Sequence, residues 1–202
     1  MKLFLIRHGQ SEADLLQVHE GRADFNLTEL GVQQANKLAT FIANKYDIDL
    51  IISSPLKRAY QTAEILQLQC QCDFEIEADL MEYNNGVLAG LPRKEALVKY
   101  PLPEGGRPLH VAIKDGESML QFRYRVENAV HMILSQYKHL ETIAIVAHGG
   151  TINNLLNILL GKTLVDNHIF YTGDTGHHLL ELRSNETRIH YLNSLEHLTS
   201  LI

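Results

Sequence analysis

Short apolar runs along the chain predict the strands of a central sheet. Three of these runs are continuous, which is typical of strands covered on both faces: LFLI (3–6), IDLIIS (48–53) and TIAIVA (142–147). A fourth run, CDFEIEAD (72–79), alternates apolar and polar residues. Two weaker runs near the end, HHLLEL (177–182) and RIHYL (188–192), predict a closing hairpin around SNE.

Between these runs, apolar residues recur at helical spacing. Thr28 and Ser54 are the candidate N-caps of the first two helices, and Pro55 suits the first helical position of the second. A helix that opens with two glycines is predicted to end at Gly161. The first helix and the long helix after Gly116 each carry an apolar stripe, formed by Leu30, Ala35, Leu38, Ile42 and Tyr46, and by Met119, Val126, Val130, Ile133 and Tyr137.

Two stretches lack a regular period. Residues 11–26 are predicted to form a loop, and residues 83–115, which are rich in proline, are predicted to form an irregular, lid-like insertion over the active site with one short helix at 94–100. The alternation of strands and helices elsewhere predicts an α/β fold with a mostly parallel central sheet and helices on both faces. We expect one domain over residues 1–202.

Composition narrows the function only a little. The net charge of −6 gives no general attraction to nucleic acid or to an anionic membrane, so an anionic substrate needs a local basic pocket. The apolar run before Arg7 is too short for a signal peptide, and Cys70 and Cys72 suit reduced thiols better than a strained disulfide. These features predict a cytoplasmic protein; oligomeric state is not readable from them.

Cationic residues follow three of the predicted strands. The first strand ends in Arg7 and His8, and the second is followed by Arg58 in the first turn of a helix. His148 follows the most apolar strand, and the glycines after it, beginning with Gly149, open a helix whose free N–H groups suit an anion. Each of these features alone also has an ordinary structural explanation. Together, at the carboxyl ends of strands, they predict a phosphate site.

The same residues carry a resemblance to a known family. RHGQSEAD, LTELGVQQA, SSPLKRAYQTAEIL, the glutamate of ADLMEYNNG and IVAHGG occur in the order found in the histidine phosphatase superfamily, which contains cofactor-dependent phosphoglycerate mutases and many small phosphatases. The similarity spans roughly residues 1–160. It implies an α/β fold and catalysis through a phosphohistidine, without a metal or other cofactor.

Site residues transfer from this resemblance position by position. It implies His8 as the nucleophile, Glu82 as the proton donor, and Arg7, Arg58 and His148 as phosphate-binding catalytic residues. Neutral imidazole can attack phosphorus, and fixed cations can stabilise the charge on the phosphoryl oxygens. Glu82 lies near Glu75, Glu77 and Asp79, so the residues alone leave the identity of the acid open.

The chain departs from the pattern of the resemblance on the substrate side. The family commonly has Glu-Thr or Glu-Ser and later Asn after Arg-His-Gly, where this chain has Gln10, Ser11 and Asp14. A carboxylate at Asp14 must be protonated, paired with arginine or turned away from a phosphate. We expect substrate contacts from Gln10, Ser11 and Gly149, and from Glu20 and Gly21 in the loop opposite. Leu88 replaces the family's aromatic residue after the acid.

Two further features suggest other chemistry. Eleven histidines invite a metal site, but His177 and His178 are adjacent on a predicted strand and point to opposite faces, and the others show no ligand spacing. Asp174-Thr175-Gly176 matches the triplet around an aspartic-protease carboxylate, which works only as a pair. A turn, or a loop near the phosphate pocket, is the better interpretation of this triplet.

The sequence thus predicts a metal-independent phosphomonoester phosphatase acting on a small phosphorylated metabolite through phospho-His8. One alternative is a cofactor-dependent phosphoglycerate mutase, which needs a larger lid than residues 83–115 provide. Another alternative is a non-catalytic phosphate-binding protein of the same fold. The physiological substrate stays open among sugar phosphates, phosphoglycerates, nucleotides and phosphoproteins.

Overall fold

A six-stranded mixed sheet forms the centre of the structure, a computed structural model that describes residues 1–166 and 169–199. The strand order is β3-β2-β4-β1-β5-β6. The four strands from β3 to β1 pair in parallel, and β5 and β6 are antiparallel to their neighbours. The strands are β1 (Lys2–Arg7), β2 (Leu50–Ser53), β3 (Asp73–Ile76), β4 (Thr142–Ala147), β5 (His177–Leu182) and β6 (Thr187–Ser194).

Helices cover both faces of the sheet, as predicted. They are α1 (Glu12–Leu16), α2 (Glu29–Ala43), α3 (Lys57–Cys70), α4 (Arg93–Lys99), α5 (Met119–Gln136) and α6 (Gly149–Leu159). On one face, α2 and α3 pack against the side chains of Phe4, Ile51 and Ala144. On the other, α5 and α6 pack against Leu3 and Ile52. The predicted α/β class with a mostly parallel sheet is confirmed.

The parallel register places three strand ends at one edge of the sheet. Val146 of β4 lies opposite Ile6 of β1 and opposite Ser53 of β2. The residues that leave β1, β2 and β4 at their carboxyl ends therefore emerge side by side, and each of these strands leads toward a helix N-terminus. This edge is where parallel α/β sheets bind ligands.

Three local predictions were wrong. The predicted loop at 11–26 contains α1, because Ser11 and Asp14 form a capping box at its start. Helix α3 begins at Lys57 with Leu56 as its N-cap, so Ser54 is not the cap and Pro55 lies before the helix; the Ser54 hydroxyl lies 2.8 Å from His148 Nε2 and accepts only a long bond, 3.3 Å, from Leu56 N.

The third error concerns the apolar stripes. Leu30 and Met119 are 40% and 37% exposed, because both lie in the first turn of their helices, before the stretch that packs on the sheet. The N-cap Thr28 is as predicted: its hydroxyl accepts a hydrogen bond from Gly31 N.

Residues 83–115 contain little regular structure. A 3₁₀ turn at Gly86–Leu88 and helix α4 are its only helical elements among the described residues. Val18 pairs with Pro92 in an isolated β-bridge, which ties this segment to the loop before Glu20. Within residues 1–166 and 169–199, no helix combines the length and apolar character that a membrane crossing requires.

Candidate active site

His8 directly follows β1 and is 1% exposed. Its Nδ1 lies 2.7 Å from the carbonyl oxygen of Gly9. Because a carbonyl oxygen only accepts hydrogen bonds, Nδ1 must carry the hydrogen of the neutral ring. Nε2 then holds the lone pair, and Arg58 Nε donates to it at 3.2 Å. The imidazole is thus held in the tautomer in which Nε2 can act as a nucleophile.

The surroundings of His8 keep its ring neutral. Burial lowers the pKa of His8 well below its usual value, and the positive charges of Arg58 and Arg7 lower it further. A protonated imidazole has no lone pair to donate. The same arginines that suit a phosphate therefore also keep the candidate nucleophile in its reactive form.

Arg58 lies in the first turn of α3 and is completely buried. Its Nη1 donates to Ala23 O and its Nη2 to Gly21 O, both at 2.9 Å. These two bonds fix the guanidinium plane, which directs Nε at His8. The carboxylate of Glu20 lies 3.6 Å from Arg58 Nε and balances part of the buried charge.

His148 follows β4 and is the N-cap residue of α6. It is fully buried, and its ring centroid lies 5.1 Å from that of His8. Nε2 lies 2.8 Å from Ser54 Oγ at the end of β2, whereas Nδ1 has no hydrogen-bond partner among the described residues. Burial, followed by the charge of Arg58, lowers the pKa of His148 well below its usual value.

Arg7 ends β1 and is held by the loop before β5. Its Nη1 donates to Thr172 O at 2.7 Å, and its Nη2 lies 3.2 Å from Asp174 Oδ1. Burial raises the pKa of Asp174, and the charge of Arg7 opposes that rise. The Asp174-Thr175-Gly176 triplet is therefore a loop next to the site, and its carboxylate orients an arginine.

Glu82 reaches the same edge from the chain that follows β3. Its Oε1 accepts a hydrogen bond from Tyr83 N at 2.7 Å and its Oε2 accepts one from Gly150 N at 2.8 Å. A Cβ on Gly150 would lie 2.5 Å from Glu82 Oε1, so a glycine is needed for this approach. Burial raises the pKa of Glu82, and these two N–H groups oppose that rise, so the site favours the protonated carboxyl more than water does.

Ser11 and Asp14 face each other at the start of α1. Ser11 N donates to Asp14 Oδ2 at 2.9 Å, and the one hydrogen of Ser11 Oγ is donated to the nearer acceptor, Glu20 Oε1, while Asp14 Oδ2 lies 3.3 Å from Oγ. Of the three options for Asp14, the structure shows the carboxylate turned away into a capping box. Gln10 is also engaged locally, since its Oε1 accepts a hydrogen bond from Thr28 Oγ1 at 2.9 Å.

The two glycines predicted to line the site lie at its edges. Gly21 has a φ of +50°, and a Cβ there would overlap Asn85 Oδ1 at 1.8 Å, so the loop can pass under Asn85 only as glycine. Gly149 begins α6, and a Cβ on it would lie 3.9 Å from Arg7 Nε. The structure thus places all the predicted site residues around one edge of the sheet, although Gln10 and Asp14 face neighbouring turns.

Several supporting residues were not singled out as site residues by sequence reasoning. Thr62 Oγ1 accepts a hydrogen bond from Gly9 N at 3.1 Å and donates to Arg58 O at 2.8 Å, which ties β1 to α3. In sequence Ser54 matches a helix cap, and its contact with His148 is visible only in three dimensions. Arg125, in the middle of α5, gave no signal because an arginine there is ordinarily solvated.

A cavity of about 430 Å³ opens beside Glu82. Its walls combine the loop before α2 with the segment after the acid, and are formed by Val18, His19, Glu20, Gly21, Glu82, Tyr83, Asn85 and Arg93. Within the described residues, no group of three or more His, Cys, Asp and Glu side chains has a metal-binding arrangement. The cations at the site are the arginines.

The sequence matches the family model of the histidine phosphatase superfamily, branch 1, over residues 3–195. The chain belongs to this superfamily. Phosphoserine phosphatase 1 of Hydrogenobacter thermophilus is 29% identical to it, over 98% of this chain and 94% of the relative. The protein named "Probable phosphoglycerate mutase GpmB" of Proteus mirabilis is 34% identical, over 80% of this chain and 75% of the relative.

A solved structure shows the same fold over nearly the whole length of this histidine phosphatase. The crystal structure of the alpha-ribazole phosphatase from Shigella flexneri superposes with a TM-score of 0.88 at 27% identity, covering 96% of this chain and 97% of that chain. With phosphatases among both its relatives and its structural neighbours, the chain is a phosphoric monoester hydrolase of histidine phosphatase type. The mutase alternative is the weaker one.

Proposed function

We propose that this histidine phosphatase hydrolyses phosphomonoesters through a covalent phosphohistidine on His8, with Glu82 as proton donor. The observation that carries the proposal is the state of His8. Its Nδ1 is committed to Gly9 O, its ring is kept neutral by burial and by two arginines, and its Nε2 lone pair faces Arg58. A nucleophilic lone pair beside a buried cation suits attack on a phosphoryl group, because the cation can bind the phosphoryl oxygens.

In the first step the Nε2 lone pair of His8 forms a bond to phosphorus, and the bond from phosphorus to the ester oxygen breaks. The leaving alkoxide takes the proton of the Glu82 carboxyl. As the lone pair is consumed, the N–H of Arg58 Nε becomes free to donate to a phosphoryl oxygen while the guanidinium stays in its plane, and Arg7 and His148 Nδ1 bind the other oxygens. This spreads the developing charge over fixed donors.

In the second step water attacks the phosphorus of phospho-His8. The Glu82 carboxylate takes a proton from that water, the N–P bond breaks, and its electron pair returns to Nε2 as inorganic phosphate leaves. Glu82 is then protonated again, and His8 is neutral for the next turnover. The raised pKa of Glu82 suits a group that must be acid in one step and base in the next.

The cavity beside Glu82 supports a small organic phosphate as substrate. Its volume of about 430 Å³ holds a modest organic group, and its walls mix Val18 and Tyr83 with the polar side chains of His19, Asn85 and Arg93. A protein-sized substrate would have to present its phosphate through this opening. We therefore propose a phosphorylated metabolite.

The proposal is tested by phosphate release from an aryl phosphate with excess chelator present. We expect turnover by the wild type and a loss of about 10⁴-fold or more in His8→Ala, since nucleophile removal abolishes the covalent route. His131→Ala is the matched control, because that histidine is exposed on α5. Activity that survives His8→Ala would overturn the mechanism. A wild type that is inert with phosphomonoesters but exchanges phosphoryl groups between phosphoglycerates would instead favour the mutase.

A further inference from the structure

Arg125 of α5 binds the backbone that carries Glu82. Its Nη1 donates to Asp79 O and Met81 O, both at 2.7 Å, and its Nη2 donates to Glu82 O at 2.8 Å. One guanidinium therefore satisfies three carbonyl groups immediately before and at the proposed acid. A lysine ammonium at this position has no planar fork with which to make all three bonds.

Glu117 binds the chain on the other side of Glu82. Arg125 binds it through both carboxylate oxygens, with Nε 2.9 Å from Oε2 and Nη2 2.7 Å from Oε1. Glu117 Oε1 also accepts a hydrogen bond from Asn84 N at 2.7 Å, and Glu117 O accepts one from Tyr83 OH at 2.7 Å. The chain on both sides of Glu82 is thus held by one ion pair, whose side chains are 12% and 11% exposed.

The position of the Glu82 carboxyl depends on these hydrogen bonds to residues 79–84. Both of its oxygens are bound by backbone N–H groups, one from Tyr83 within that segment and one from Gly150 across the site. If residues 79–84 shift, the carboxyl must leave at least one of these donors. A displacement of about 1 Å in a catalytic group can cost up to about 10²-fold in rate.

We propose that the Arg125–Glu117 ion pair is a positioning device that sets Glu82 in place for proton transfer to the leaving group. The pair itself touches no reacting atom, so both residues act through Glu82. The inference rests on the proposed function, in which Glu82 is the proton donor. It goes beyond that function by assigning a catalytic purpose to two residues outside the phosphate site.

Leaving-group chemistry provides the test. The acidic phenol of an aryl phosphate leaves with little protonation. The alkoxide of an alkyl phosphate needs a proton from the acid as it leaves. We expect Arg125→Lys and Glu117→Gln to lower kcat/KM about 10- to 100-fold for the alkyl phosphate and less than about threefold for the aryl phosphate. The matched control is Arg123→Lys on the same helix, whose side chain donates its hydrogen bonds to Glu127 and to Lys162 O rather than to residues 79–84.

The Glu82→Gln variant separates the two hypotheses. If Glu82→Gln lowers kcat/KM selectively for the alkyl phosphate and both pair variants do the same, the positioning role stands. If Glu82→Gln is selective but the pair variants slow both substrates equally, or not at all, the positioning proposal is overturned and the proposed function survives. If Glu82→Gln is itself unselective, the acid role of Glu82 fails. Should neither pair variant fold, as judged by circular dichroism, the pair serves folding and the proposal is overturned.

Discussion

Two parts of the active site are built in different ways. The strand-exit cluster, Arg7, His8, Arg58 and His148, is set by the parallel register of β1, β2 and β4 and by helix starts that follow directly. The acid segment, residues 79–84, contains no strand and lies where it does because Arg125 and Glu117 hold its backbone. One part is fixed by the sheet, and the other by the side chains of Arg125 in α5 and of Glu117 just before that helix.

The two parts of the site face different parts of the substrate. The strand-exit cluster surrounds the phosphoryl group, which every phosphomonoester shares, so changes there should affect all substrates equally. The acid segment faces the leaving group, which differs between substrates, so changes there should depend on the leaving group. A rigid phosphate site beside a separately supported acid also allows the leaving-group side to vary without altering the nucleophile.

After the loss of His8 itself, the largest effect is expected at Arg58. Replacing it with lysine removes the fork that binds Gly21 O and Ala23 O and moves the charge away from His8. We expect kcat/KM to fall about 10²- to 10³-fold, as when one preorganised donor is lost from a transition state. Steady-state kinetics should give the same factor for aryl and alkyl phosphates. A loss confined to alkyl phosphates would contradict the assignment of Arg58 to the phosphoryl group. The control is Lys57→Ala, which removes an exposed charge one residue earlier.

A smaller, selective effect is expected from Gly150→Ala. The added Cβ would lie 2.5 Å from Glu82 Oε1, so it displaces the carboxyl while leaving the strand-exit cluster in place. We expect kcat/KM to fall about 10-fold or more for an alkyl phosphate and to change little for an aryl phosphate. The measurement is a double-mutant cycle with Glu82→Gln. If Gly150→Ala still slows the enzyme after Glu82→Gln, the two changes are independent and the explanation is wrong.

Acid should weaken the fold behind the strand-exit cluster. His177 and His178 on β5 are buried, and burial lowers the pKa of His177 to about 3 and that of His178 to about 4. These values lie below the pKa of about 6.5 in the unfolded chain. The contribution of the two neutral rings to the free energy of unfolding is therefore fully present above pH 6.5 and is lost as pH falls toward 4. At pH 5, linkage gives a loss of about 2 kcal/mol for His178.

Urea unfolding at pH 7 and pH 5 measures this dependence. His177→Phe suits the aromatic surroundings of Phe4, Phe41 and Tyr191 and should reduce the loss of unfolding free energy between the two pH values. His131→Gln, on the exposed face of α5, should leave it unchanged. An identical pH dependence in His177→Phe and wild type would show that His177 is not responsible.

The smallest effect is expected at Arg93, on the cavity wall. Its side chain is exposed and its Nε lies 3.4 Å from Val18 O, so it can offer charge to a substrate at modest gain. For a substrate with a carboxylate beside its phosphate, Arg93→Ala should raise KM up to about fivefold with kcat unchanged. A substrate with an uncharged organic group should show no change. Equal effects on both substrates would show that Arg93 does not bind the carboxylate of the leaving group.

The strand-exit cluster could be predicted from the sequence because its information is local. Each of its four residues stands within a few residues of an apolar run, and the geometry of parallel strands brings those ends together. Arg125 could not be predicted in this way. Its partners at Asp79 and Glu82 lie 46 and 43 residues away, and nothing about an arginine in a long helix distinguishes a buried clamp from a solvated side chain.

Ser54 shows a related difficulty. A serine followed by proline matches the start of a helix, yet the structure uses its hydroxyl to meet His148, 94 residues away, and begins α3 later. Local preference predicted a cap, and a tertiary contact decided otherwise. Asp14 was ambiguous for the same reason, since only its contact with Ser11 tells which way the carboxylate points.

The central claim is that His8 becomes phosphorylated during turnover. Rapid mixing of wild type with a ³²P-labelled phosphomonoester, followed by quenching and peptide mapping, tests it directly. We expect a label that is stable in base and labile in acid, as is typical of an N–P bond, located on the peptide containing His8 and absent from His8→Ala. Label on another residue, or full turnover of the labelled substrate by His8→Ala, would contradict it.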